Sequence, residues 1–117
     1  MATAEEIKQE IIDWASERNS INVPDIYKAF EKFVEILSWR RAEIRLASGM
    51  AKLVERFGGD GLGGPTYVVF CVGYQYFRVN GEYSDLGFHW DAHDLYEVLP
   101  VNTDVIEYLR KNSTDSI

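Results

Sequence analysis

The sequence predicts an α+β fold: N-terminal helices, one of them long, packed on a small antiparallel β-sheet and followed by a C-terminal helix. Three observations predict it. Apolar residues recur at helical spacing up to residue 57, and β-branched and aromatic residues concentrate after residue 65. Between them lies the stretch Gly58-Gly59-Asp60-Gly61-Leu62-Gly63-Gly64-Pro65. The expected organisation is one domain over 1–117, with a helical half (1–57), a Gly-rich linker (58–65) and a β-rich half ending in a helix (66–111).

Residues 3–17 read as the first helix. Thr3 and Glu6 have the spacing of a capping box, in which each side chain satisfies an orphan backbone N–H, and Ile7, Ile11, Trp14 and Ala15 make one apolar stripe. From 25 to 57 the helical signal is long. Ile26, Phe30, Phe33, Leu37, Ile44, Ala47, Ala51 and Val54 form one stripe, and Ala29, Ile36, Trp39, Leu46, Met50, Leu53 and Phe57 form its neighbour. Unbroken, such a helix would extend about 50 Å. It therefore either bends or breaks near 40–43, where both stripes falter, or projects and pairs with a second copy as a homodimer. Gly58-Gly59 is the expected C-cap.

Beyond the glycines, residues 66–72 are apolar on both faces, as in a central strand. Gly73 marks a bulge or bend, residues 74–79 continue as strand, and Asn80-Gly81 is the strongest hairpin signal in the chain. A returning strand covers 82–90, broken by Gly87. Residues 92–98 suit either a short helical turn capped by Asp91 or a strand through 95–101. Thr103 can cap a final helix over 104–111, and 112–117 should fray.

Aromatic residues at 14% and hydrophobic residues at 46% exclude a disordered chain. The lone Cys71, inside an apolar run, excludes an internal disulfide and a cysteine-rich zinc site, and reads as a buried structural thiol. The N-terminus has no signal-peptide pattern and no apolar run approaches a membrane span, so a cytoplasmic address without membrane association is expected. Net charge is −7 and unevenly spread: residues 21–57 carry seven basic and five acidic groups, whereas residues 82–117 carry two and eight. That C-terminal third would repel duplex nucleic acid and favour a basic or nucleic-acid-handling protein partner.

Four constellations are candidates for function. Gly59-x-Gly61-x-x-Gly64 matches a dinucleotide fingerprint formally, but it follows a helix and precedes a strand, the reverse of what pyrophosphate binding needs. His89, Asp91 and His93 share a face as strand, and the two histidines share one as helix. Such a set suits a divalent metal or acid–base work but is one ligand short of a closed site. Arg41, Arg45, Lys52 and Arg56 fall on one side of the long helix, where they either hold an anion or form a solvated face. Lastly, the aromatic β half puts Tyr83 and Trp90 beside Asp85, Asp91 and Asp94, the composition of a partner-binding surface.

No cofactor is expected. The function these readings favour is non-catalytic: a small acidic protein that docks on a larger macromolecule and inhibits or modulates it, by analogy of size and charge with immunity proteins, antitoxins and phage inhibitors of bacterial defence. The alternatives are a metal-binding protein or enzyme using His89, Asp91 and His93, and a sensor of an anionic small molecule on the Arg41/Arg45 face.

Overall fold

The computed structural model describes residues 1–19, 26–58, 63–84, 86–101 and 107–110. Within them the order is α1 (Ala4–Asn19), α2 (Ile26–Val34) running into a π turn (Glu35–Trp39), then β1 (Ile44–Leu46), β2 (Gly49–Phe57), β3 (Gly64–Val72), β4 (Gln75–Ser84), β5 (Gly87–Val101) and β6 (Glu107–Arg110). The strands form a meander in sequence order, each antiparallel to the next. The helices pack on one face. The architecture is α+β, as expected.

The capping box forms at the start of α1. The Thr3 N–H donates to Glu6 Oε1 at 2.8 Å and the Glu6 N–H to Thr3 Oγ1 at 3.1 Å. Donation from the Thr3 backbone and then its hydroxyl holds the Glu6 carboxyl below its ordinary value of 4.5. A depressed carboxylate stabilises above its unfolded value, and that contribution disappears as pH falls through the folded one. Thr3→Ala should therefore lower the melting temperature by a few degrees at neutral pH, and by less below about pH 4. Thermal melts at the two pH values check this.

Ile7, Ile11 and Ala15 bury the α1 stripe, and Ala29, Phe30, Phe33 and Val34 bury that of α2. An aromatic file crosses the layers: Trp14 to Phe33 (5.9 Å), Phe33 to Phe70 (5.0 Å), Phe70 to Phe77 (5.8 Å). The chain's start is tied to the sheet by the Gln75 amide, which accepts from the Ala2 N–H at 3.0 Å and donates to the Ala2 carbonyl at 2.8 Å.

Of the two readings of 25–57, the unbroken helix does not form, and the segment beyond the break is not helical. The chain is helical to Trp39 and breaks at residues 40–43, where both apolar stripes falter; beyond the break it is strand. Arg41 takes a left-handed conformation (φ 51°), the Ala42 N–H reaches back to the Ile36 carbonyl at 3.3 Å, and the Ser38 hydroxyl bonds the Val34 carbonyl. Ile44 and Leu46 then face the core with Arg45 outward, in strand alternation. The turn at Ala47-Ser48 is clamped to α1 by Glu10, which accepts from the Ser48 N–H at 2.8 Å and from its hydroxyl at 2.5 Å. The dimer argument from one long helical face loses its basis with the helix. The boundary between helices and sheet thus lies at 40–43, and the glycine stretch joins β2 to β3 instead of capping a helix.

Two turns also move. Val72 pairs with Gln75, so Gly73-Tyr74 is the hairpin turn, with Gly73 at φ 63° in the first central position as a type II′ turn requires. Asn80-Gly81 is not a turn: β4 runs through it to Ser84, which pairs with Gly87. Residues 92–98 are strand throughout. Of the expected final helix, residues 107–110 are strand β6 paired with Val98–Val101, and the remainder lies outside the described residues.

Candidate functional site

Residues 90–95 carry the largest irregularity in the sheet. Val79 pairs with Leu95 and Gly81 with Trp90, so Asn80 alone faces residues 91–94 of β5. The extra residues form a bulge in which Ala92 is buried in the core while Asp91 and His93 are exposed. The His93 N–H donates to Asp91 Oδ1 at 3.1 Å within the bulge, Lys8 of α1 donates to the His93 carbonyl at 3.3 Å, and the Tyr27 ring of α2 meets the His93 ring edge-on at 5.7 Å.

Beside this bulge a groove opens between α2 and the β4–β5 hairpin. Its larger lobe, about 530 Å³, is lined by Tyr27 and Glu31 from the helix and by Glu82, Phe88, His89, Trp90 and Asp91 from the hairpin, among others. A second lobe of about 290 Å³ continues past Val34, Glu35, Trp39, Arg56 and Leu86, and shares Glu31, Phe88 and Trp90 with the first. Phe88 and Trp90 stand two apart on β5 and lie parallel (3°) at 5.6 Å, with Tyr83 tilted behind Phe88 at 4.7 Å. Trp39 meets Phe88 edge-on at 6.5 Å and carries the Arg56 guanidinium 4.9 Å above its ring. At the open end Trp39 is 61% and Leu86 86% exposed. The floor is therefore aromatic and the rim acidic. Among the described residues none of Glu31, Glu35, Glu82 and Asp91 is in an ion pair.

Compared with known family models, curated proteins and solved structures, the chain matches none.

The expected partner-binding residues divide. Asp91 and Trp90 line the groove, though Trp90 is only 8% exposed and belongs to the core as well. Tyr83 pairs with Phe88 across the strands and its ring packs against the Phe88 ring. Asp94 instead accepts from the Asn80 amide at 2.7 Å, in a polar lattice across the strands. That lattice continues through Arg78, which donates to Asn80 at 2.7 Å and stacks 3.9 Å over Tyr67, itself bonded to Glu55. Asp85 lies outside the described residues.

The His89, Asp91 and His93 side chains are exposed, but His93 sits on Tyr27 while His89 and Asp91 line the groove. Among the described residues no three His, Cys, Asp or Glu groups stand close enough to hold a metal. Cys71 is half-buried opposite Lys52 and Tyr76.

The basic stripe is dispersed with the helix that would have aligned it. Arg41 and Arg56 border one hollow, together with Glu55, and Arg45 borders another with Arg40 and Glu43. Lys52 lies 3.8 Å from Glu43. Tyr27, Glu31 and Glu35 were not singled out from sequence, yet their four-residue spacing places them along one side of α2 and the start of the π turn that continues it, a legible signal. Glu82, Leu86 and Phe88 join the groove only through the hairpin.

Proposed function

We propose that the chain is a non-catalytic binding protein that docks on a larger, positively charged protein and inhibits or modulates it through the groove between α2 and the β4–β5 hairpin. One observation carries the reading: an aromatic floor open to solvent at Trp39 and Leu86, under a rim of carboxylates to which the described residues supply no paired cation. Aromatic side chains in a partly desolvated groove serve as anchors, and unpaired rim charges steer an oppositely charged partner. The net negative charge of residues 82–117 points the same way. No helix among the described residues is long and apolar enough to cross a membrane.

The rim and the anchors should separate kinetically. A partner captured by the full chain from its own cells and identified by mass spectrometry should associate about tenfold more slowly with Glu82→Lys/Asp91→Lys, with a flattened salt dependence. Leu86→Ser should leave association alone and speed dissociation. Glu82 and Asp91 are the informative charges because both are exposed, whereas reversing Asp94 would also break its bond with Asn80. Unchanged kinetics in both variants, with circular dichroism confirming the fold, would exclude the groove as the docking face.

A further inference from the structure

We infer that the larger lobe receives an arginine side chain of the partner, and the smaller lobe an apolar residue next to it. This rests on the docking reading above and specifies its occupant. Acidic residues line the larger lobe on two sides, Glu31 from α2 and Glu82 and Asp91 from the hairpin, so a cation entering it is attracted from both. Its aromatic lining is the half-buried Phe88, packed parallel to the buried Trp90. A planar guanidinium can pack against the accessible part of the Phe88 ring while its fork engages carboxylates at the edge, which the compact ammonium of lysine cannot do equally well. The groove already shows this contact once: Arg56 lies over Trp39.

That same Arg56 differentiates the lobes. It occupies the Trp39 face and sets a positive charge against Glu31 and Glu35 of the smaller lobe, so that lobe attracts a second cation less than the larger one does. Beside these charges and Ser38, the smaller lobe offers apolar surface on Val34, Trp39, Leu86 and Phe88. The occupant is thus a segment of a protein partner with an arginine beside an apolar residue.

The test uses three acetylated, amidated hexapeptides in which leucine alternates with arginine, with lysine or with citrulline, the neutral isostere of arginine. Each is titrated into the 117-residue chain and followed by the indole N–H signals of Trp39 and Trp90 and the backbone amides of Gly81 and His89. The arginine peptide should give saturable shifts at these positions, with the lysine peptide weaker by about threefold and the citrulline peptide by about tenfold. Glu82→Gln/Asp91→Asn should weaken the arginine peptide about tenfold and leave the citrulline peptide unchanged. Asparagine at 91 keeps the oxygen that accepts from the His93 N–H, so the bulge is retained. Equal affinity for arginine and citrulline, equal affinity for arginine and lysine, shifts confined to another face, or indifference to the double variant would each overturn the assignment. If partner dissociation still responds to Leu86→Ser while the peptides do not discriminate, the docking face stands and the arginine lobe falls. If neither responds, both fall.

Discussion

Gly81→Ala should lower stability by about 1–3 kcal/mol, seen as an earlier midpoint in urea denaturation. A methyl group at this position would lie 2.6 Å from the His89 carbonyl oxygen, 2.8 Å from Trp90 Cε3 and 3.1 Å from Trp90 Cα. Two of the three are backbone atoms of the paired strand, so no rotamer change can make room. The β4–β5 ladder must separate where Gly81 pairs with Trp90, beside the bulge. Glycine is needed here for the close approach of two backbones. Because Trp90 contributes to both the core and the groove floor, the variant should also broaden its indole N–H signal. A midpoint within error of the parent's would show that the strands can part at little cost.

Phe70→Ala should cost more, about 3–5 kcal/mol, with the folded state near the limit of its stability. Phe70 is fully buried on β3 and touches Phe33 of α2 at 5.0 Å and Phe77 of β4 at 5.8 Å, so it joins the helical layer to the centre of the sheet. Alanine would leave a cavity bounded by two other fully buried rings, and neither the sheet ladder nor α2 can close it alone. Equilibrium denaturation with an unchanged slope is the appropriate measurement. Tyr74→Ala is the control: its side chain is 99% exposed in the β3–β4 turn, and a change within about 0.5 kcal/mol is expected. Should the two variants lose equal stability, the aromatic file is not what couples the layers.

The residues of the groove differ in how far sequence reveals them. Phe88, Trp90 and the carboxylates of the C-terminal third stand out as aromatics among charge. Tyr27, Glu31 and Glu35 form a stripe on α2 that periodicity displays but does not assign to any partner. Their meeting depends on the bulge at 91–94, and that bulge follows from strand pairing: Asn80 faces four residues where a regular ladder would set one. Nothing in the local sequence announces it.

By itself the sequence determined the elements whose signals are local and unopposed. The capping box and single stripe of α1 depend on residues three and four apart, and residues 66–72, apolar on both faces, fit only a strand with neighbours on either side. The faltering of both stripes at 40–43, at an arginine and a glutamate, was equally local, but it left a broken helix and an unbroken, self-pairing one equally open. Tertiary structure decided the rest, where two patterns coincided. In residues 44–57 the pairs Ile44/Ala51 and Leu46/Leu53 keep the spacing of two helical stripes, while Ile44/Leu46 and Ala51/Leu53 keep strand alternation, and pairing of β1 with β2 and of β2 with β3 resolved it by satisfying backbone groups in a ladder while burying Ile44, Leu46 and Ala51. Asn80-Gly81 is a good turn in isolation, but β3 pairs along it on one side and β5 on the other. Those non-local hydrogen bonds and the burial of Val79 outweigh a dipeptide preference, because a preference weighs one or two residues and a sheet weighs every residue it pairs.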